Sequence, residues 1–386
     1  MIPKKADIVI VGSGIMGVCT AYYLALKGHK NIVVLDKEEY LGGHTTSRCA
    51  GGFRYQFSTE INVKLSQLSI SMLENFKKEN NCEYEFDRCG YLFLISDENR
   101  RKIYMESVKM QRELGVDVQL LDREEVHKLV PYLDTSNIIC GSFCKDEGLL
   151  DPGKVVNAYI DQAQKMGVTF LRKTQVTDIC IENNKIKSVL TDKGEIITDV
   201  IVNAAGPWAG KIGEMMSCKI PIVPDKQQLF TTSDVNWDNS KMPVVIFQDS
   251  GIGFHKEEKG LLSGMHRMSD EICDYKENID YDWETFHMET AMDYMHEIGD
   301  LSIVARWCGF YETTDDDLPI VDRINEIEGA YCIAGFCGHG FMHGPICGKL
   351  MSELITYGET RSLDISQLSL RRFNDTKKQL NENYKL

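Results

Sequence analysis

The chain lacks any apolar run approaching the roughly twenty residues that a membrane-spanning helix needs, so no spanning segment is expected. It also lacks a surplus of positive charge. Its 43 lysines and arginines stand against 58 acids among 386 residues, a formal net charge of −15. A surface of that sign repels phosphate backbones and acidic lipid, which argues against nucleic acid and anionic membrane as main partners. Room remains for a local basic patch around a small anion. Thirteen cysteines are present, yet no two have the CxxC spacing. That irregularity argues against a metal or iron–sulfur centre, and no metal site is expected. The expectation is a cytoplasmic protein with reduced, mostly buried thiols. The leading residues Met1–Ala6 are too short for a secretion signal, because an apolar strand pattern has begun by Ile8. Repeats, low-complexity tracts and linkers are also missing. A chain of this length exceeds one ordinary core, so two domains are expected.

The segment Ala6–Asp36 carries most of the information. A short apolar run, Ile8–Val11, meets a turn built on Gly12, Gly14 and Gly17, with Ile15 and Met16 inside it. An apolar helical pattern and a second run, Ile32–Leu35, follow, ending in Asp36 and Lys37. This is the pattern of a βαβ unit that holds a dinucleotide. Gly12 permits the tight turn, Gly14 lets the backbone approach a pyrophosphate, and Gly17 lets helix and strand pack closely. Phosphates then meet the free N–H groups and positive dipole of the helix N-terminus. An acid at position 36 is placed to grip ribose hydroxyls.

Further along, periodicity predicts helices over Ile61–Lys77, Arg100–Glu113, Asp122–Val130 and Val155–Met166, and strands at Tyr91–Ile95 and Thr169–Leu171. Val176–Glu182 and Ile186–Thr191 read as a hairpin joined through Asn183-Asn184. Gly148–Pro152 reads as a turn, and Ile196–Ala204 as one apolar strand. Lys219–Trp307 alternates strand and turn signals, with a helix near Trp283–Ile298. A last strand, Gly329–Ala334, ends in a second glycine turn, Gly335–Phe341, before a helix expected from about Pro345 to Tyr357. That turn repeats the logic of the first. A helix starting there presents positive potential, which would suit the anionic pyrimidine end of a reduced flavin.

Five separated motifs now stand in order: Gly12–Gly17 with Asp36, the arginine loop Ser47–Gln56, NAAGPWA at Asn203–Ala209, RWCGFYETTDDDLPIVD at Arg306–Asp322, and GFCGHGF at Gly335–Phe341. Together they resemble the FAD-dependent D-amino-acid oxidase superfamily, over nearly the whole chain. Within it the chain is most similar to the sarcosine oxidase and sarcosine dehydrogenase branch, including the β subunits of heteromeric sarcosine oxidase and L-proline dehydrogenase. The resemblance implies a fold of α/β plus antiparallel β. A discontinuous Rossmann-like FAD-binding domain (1–80, 145–218 and 320–386) would carry a substrate domain of antiparallel sheet and helices (81–144 and 219–319). It also implies that Thr45, Thr46, Ser47 and Arg48 follow the cofactor from pyrophosphate to flavin. Val176 would touch the adenine side, Ala204, Ala205 and Gly206 would pass near the pyrophosphate, and Gly338, His339, Gly340 and Phe341 would meet the pyrimidine edge.

Members of this family oxidise a C–N bond of an amino acid or secondary amine by moving a hydride to flavin N5. That chemistry asks mainly for positioning. His266 and Tyr311 match pocket residues of monomeric sarcosine oxidases, and Arg54 is the expected carboxylate anchor, with Arg48 second. Three departures qualify the match. Met342 stands where those oxidases have a substrate-binding lysine. Leu262 stands near their oxygen-activating lysine, which favours a dehydrogenase over an oxidase. Gly309 aligns near their flavin-linked thiol, with Cys308 one residue off, so non-covalent FAD is expected. The expected partners are a small amine or amino acid and electron-accepting subunits. The alternative is a flavin-binding electron-transfer subunit with little activity alone. A disulfide-type reductase would need a second dinucleotide fingerprint, which is missing, and a tRNA-modifying role sits poorly with the negative charge.

Overall fold

The computed structural model describes residues 2–267, 275–374 and 380–384. A six-stranded sheet runs in the order Ile320–Arg323, Ala330–Ala334, Ile201–Asn203, Ile8–Val11, Ile32–Leu35, Thr169–Leu171. Its pairings are parallel except at the first strand. The three central strands are buried at every residue, as continuous apolar runs covered on both faces must be. The helix Ile15–Leu26 leaves the opening strand, and the last helix, Gly340–Tyr357, lies against it. Their contact is close: a Cβ at Gly348 would fall 2.6 Å from Cys19 Cβ and 2.7 Å from the Thr20 nitrogen.

An eight-stranded sheet forms the second layer. Its order is Ile303–Thr313, Val223–Thr232, Gly260–Met265, Ile252–Glu257, Val244–Phe247, Tyr91–Ile95, Cys140–Cys144, Val118–Leu121. The six-stranded sheet draws its strands from residues 8–35, 169–203 and 320–334, and the eight-stranded sheet from 91–144 and 223–313. The fold class is the expected one: a Rossmann-like α/β layer joined to a largely antiparallel sheet. One pairing departs from pure antiparallel order, since Val244–Phe247 runs parallel to Tyr91–Ile95.

Several local expectations need correction. The apolar run Ile196–Ala204 is two strands, not one. Gly194–Ile197 joins the Asn183-Asn184 hairpin, whereas Ile201–Asn203 enters the six-stranded sheet. The break lies at Thr198, whose hydroxyl bonds the Val200 carbonyl and turns the chain locally. The arginine loop is partly regular. Thr45–Arg48 is a helical turn, and Gly52–Phe53 pairs with Gly148–Leu149, in the segment read as a turn. Finally, the closing helix starts at Gly340, five residues before Pro345. Proline there gives up one backbone donor, which a helix of 18 residues tolerates. The glycine turn therefore leads straight into the helix, and the N-terminus lies further back than expected.

Among the described residues no helix is long and apolar enough to cross a membrane. Among the described residues no disulfide joins two cysteines. Because the helix contact at Gly348 leaves no room, Gly348→Ala should lower folding stability by about 1–3 kcal/mol. Chemical denaturation reads this as an earlier midpoint, and an unmoved midpoint would count against the close approach.

Candidate functional site

One cavity runs from Lys211, Met215 and Val176 at one end to Gln227, Tyr311 and Met342 at the other. Two helix N-termini open onto it. The first begins after Gly14 and the second after His339; neither N-cap residue closes its helix with a side chain, and Thr46 takes only the Ile15 N–H of the first. The first four N–H groups of a helix lack internal partners, so an uncapped end facing a cavity is a site awaiting an acceptor or a negative charge.

The sequence builds the first cradle locally. Gly12 has φ +106°, and a Cβ there would lie 2.3 Å from the Ala204 carbonyl oxygen, so only glycine fits. A Cβ on Gly17 would lie 2.0 Å from the Gly12 oxygen, which places this third glycine beneath the turn and off the cavity wall. Gly14, Ile15, Met16, Asp36 and Lys37 line the wall. Asp36 is pre-positioned: its carboxylate accepts the Ser13 N–H at 2.8 Å, the Glu38 N–H at 2.9 Å and the Ser13 hydroxyl. Lys37 lies 3.6 Å above the Trp208 ring. Thr46 accepts the Ile15 N–H at 3.1 Å, and Thr45 donates to the Phe310 carbonyl at 2.9 Å. Arg48 also lines the cavity, held by the Cys308 carbonyl at 3.1 Å and Glu277 at 2.8 Å. Val176, Ala204, Ala205, Gly206, Gly338, Gly340 and Phe341 complete the wall. Ser47 turns away and bonds the His44 carbonyl. His339 is buried behind the turn against His343 at 3.3 Å, and burial lowers its pKa to about 4. It stays neutral there.

The far end is assembled by three strands of the large sheet. Tyr311 lies against the second glycine turn: a Cβ on Gly338 would fall 2.7 Å from its ring. Burial pushes its phenol up to about 12, so it remains a donor. Asp225 is the cross-strand partner of Tyr311. It accepts a bond from Gln227 at 2.7 Å, and the same amide reaches His266 at 3.4 Å. The His266 ring is 6.5 Å from that of Tyr311. Burial raises the Asp225 carboxyl to about 6, against lowering by Gln227 and Arg267. His266 therefore stands one amide behind the wall that Gln227 and Tyr311 form.

Arg54 is not on the wall. Its guanidinium is 2% exposed, lies 3.9 Å above the Phe57 ring, and donates to the Gln56 carbonyl at 2.6 Å and the Tyr384 carbonyl at 3.2 Å. Aromatic stacking and backbone carbonyls hold its two terminal nitrogens, while its buried Nε has no partner. Sequence reasoning missed Asp225, Gln227 and Glu312. The first two lie in a stretch whose spacing carries no motif. Glu312 follows Tyr311 directly, but strand alternation turns it to the opposite face, and nothing in the sequence says that this face also meets the cavity.

The donor set suits an extended dinucleotide with a flavin. Two helix N-termini without an N-cap side-chain bond match a pyrophosphate and an electron-rich ring edge, and one enclosed carboxyl oxygen, Glu312 Oε2, lacks a partner. Thiol chemistry on the wall is muted. Cys49 lines it with a pKa raised by burial to about 11, and Cys308 alternates away from Gly309.

Comparison with known proteins agrees with this geometry. The family described as FAD dependent oxidoreductase (DAO) matches residues 7–354. The FAD-dependent oxidoreductase domain-containing protein 1 of Xenopus laevis is 28% identical, over 96% of this chain and 83% of that protein. The mitochondrial dimethylglycine dehydrogenase of Rattus norvegicus is 26% identical over 96% of this chain, which spans only 45% of that protein. The crystal structure of L-proline dehydrogenase from P. horikoshii superposes with a TM-score of 0.88 at 33% identity, covering 97% of this chain and 99% of that one.

Gly12→Ala places a methyl against the Ala204 carbonyl and forces a strained backbone angle worth about 1–3 kcal/mol. Cofactor affinity should fall about tenfold to hundredfold. Fluorescence titration of the apoprotein measures this, and unchanged affinity would sink the cradle assignment.

Proposed function

The chain belongs to the DAO family of FAD dependent oxidoreductases, and on that premise we propose that it oxidises the C–N bond of an amino acid or secondary amine. The observation that carries this reading is the wall at the end of the cavity. Tyr311 and Gln227 form it beside the glycine turn Gly338–Phe341, and Asp225 and His266 back it through the Gln227 amide. The relatives named for dimethylglycine and L-proline support an amine or imino-acid substrate of the same size.

When bound, FAD supplies a two-electron acceptor for a hydride. The protein's part is to position, dehydrate and deprotonate. Tyr311, protonated throughout the neutral range, offers a hydroxyl donor to the substrate. Asp225 is the proton acceptor for its ammonium group, because only the neutral amine has the lone pair that drives hydride loss. Gln227 orients that carboxylate and links it to His266. Arg54 remains our candidate for a substrate carboxylate, but it must first exchange its carbonyl partners for that anion. Arg48 is already occupied by Glu277.

We further propose a dehydrogenase with non-covalent FAD. Leu262 is buried and apolar at the position where related oxidases would place a lysine. Of the cations lining the cavity among the described residues, Lys37, Lys211 and Arg48, it is Arg48 that packs against Gly309, and its charge is paired with Glu277. A site without a free cation stabilises superoxide poorly. The described cysteines, none bridged to another, support a reducing compartment such as the cytoplasm. Electron-accepting subunits are the natural outlet for a flavin that reacts slowly with oxygen.

Anaerobic mixing with L-proline, sarcosine, dimethylglycine and glycine tests the reading. One or more should bleach the visible flavin band, with dye-linked turnover well above peroxide release. Bleaching by dithionite alone would instead leave an electron-transfer subunit without its own activity.

The pH profile of flavin reduction should rise through about pH 6 as Asp225 ionises. Asp225→Asn should lose that limb and slow reduction about 10²-fold, whereas Asp225→Glu should restore part of it. A limb that survives in Asp225→Asn assigns the proton elsewhere.

A further inference from the structure

Glu312 sits where the two sheets meet. It belongs to the edge strand Ile303–Thr313 of the large sheet, one residue beyond Tyr311 and on the other face. Its backbone carbonyl accepts the Cys337 N–H at 3.2 Å, and its Oε1 accepts the Phe336 N–H at 3.3 Å. Main chain and side chain together fasten this strand to the second glycine turn. The residue is 8% exposed, yet it lines the cofactor cavity. Its other oxygen, Oε2, is enclosed and has no partner. An enclosed, unpaired carboxyl oxygen is costly and needs an explanation.

Its position supplies one. Oε2 is 3.5 Å from where a Cβ on Gly206 would lie. Gly206 adjoins Ala205, whose Cα is 3.2 Å from a Cβ built on Gly12, so this side belongs to the pyrophosphate cradle. Phe336, on the other side, packs 3.1 Å from a Cβ built on Gly340, at the flavin-ring cradle. The oxygen thus stands between the two cradles, where FAD carries the hydroxylated chain that joins ring to phosphate.

We propose that Glu312 is a cofactor-positioning residue whose free oxygen bonds a hydroxyl of that linking chain. Seated FAD is then tied, through one carboxyl group, to both the Phe336 turn and the strand that carries Tyr311. The cofactor itself sets the register between the flavin cradle and the substrate wall. This inference rests on FAD binding and not on the substrate reading.

The charge state follows from the surroundings. Burial raises the carboxyl to about 7, against lowering by the N–H groups of Gly335 and Phe336. The titratable groups facing it are the thiols of Cys337 on the turn and Cys332 on the neighbouring strand, both pushed far up by burial and neutral. Among the described residues no ion pair reaches it. The neutral acid can both donate and accept, whereas the carboxylate would face the pyrophosphate charge. FAD should therefore favour the protonated form, and its affinity should fall as pH rises past neutrality.

Apoprotein of the wild type, Glu312→Gln and Glu312→Leu, titrated with FAD by fluorescence at about pH 6 and about pH 8.5, tests this without reference to turnover. We expect wild-type affinity to drop about tenfold between the two conditions. Glu312→Gln should bind with little pH dependence, near the wild-type value at the lower pH. Glu312→Leu should bind at least about tenfold more weakly at both, and Glu312→Gln, which keeps an acceptor for the Phe336 N–H, controls for the loss of that tie. Equal affinity for wild type and Glu312→Leu would overturn the proposal. So would the same pH slope in wild type and Glu312→Gln.

Discussion

Two helices begin on glycine turns, neither is capped by the side chain of its own N-cap residue, and both point into one cavity. Backbone N–H groups left open in this way need an acceptor, and together with the helix dipoles and the lining cations Lys37, Lys211 and Arg48 they favour an anion in the cavity. A chain with a net charge of −15 can therefore hold a strongly anionic dinucleotide. The rest of the architecture serves these two ends. The parallel strands set the first cradle beside Ala204, and the contact of the first and last helices, allowed by Gly348, fixes the second cradle relative to the first.

The large sheet adds what the cradles cannot. Its edge strand carries Tyr311 on one face and Glu312 on the other, so one strand touches both the reaction end of the cavity and its middle. Side chains held on paired strands keep their aim better than side chains on loops. The Asp225–Gln227–His266 chain shows this, because its members come from strand Val223–Thr232 and from the residue that follows strand Gly260–Met265. Burial then sets proton affinities: carboxyls rise toward neutrality, while His339 is held neutral.

Legibility in the sequence followed locality. The glycine spacing of Gly12–Gly17, the hairpin at Asn183-Asn184 and the pocket tyrosine were readable because each depends on neighbours within a few residues or on a motif quoted whole. The split of Ile196–Ala204 was not readable, since apolar content runs through both halves and only sheet membership separates them. The early start of the last helix was hidden by Pro345, whose usual meaning as a first-turn residue points to the wrong boundary. Arg54 was singled out by charge and position, but stacking on Phe57 and the carbonyl of Tyr384, far away in the chain, decide where it points.

By itself the sequence determined the dinucleotide cradle, the order of elements and the family, because those rest on backbone conformations that only certain residues allow at certain spacings. Tertiary structure alone decided which charged groups reach the cavity. Arg54 is drawn behind the wall, Arg48 is paired on it, strand register brings Glu312 to it, and Asp225 stands behind Gln227. The reason is physical. A side chain's reach and its proton affinity depend on what packs against it and how much water is excluded, and in this chain those neighbours lie up to 330 residues away.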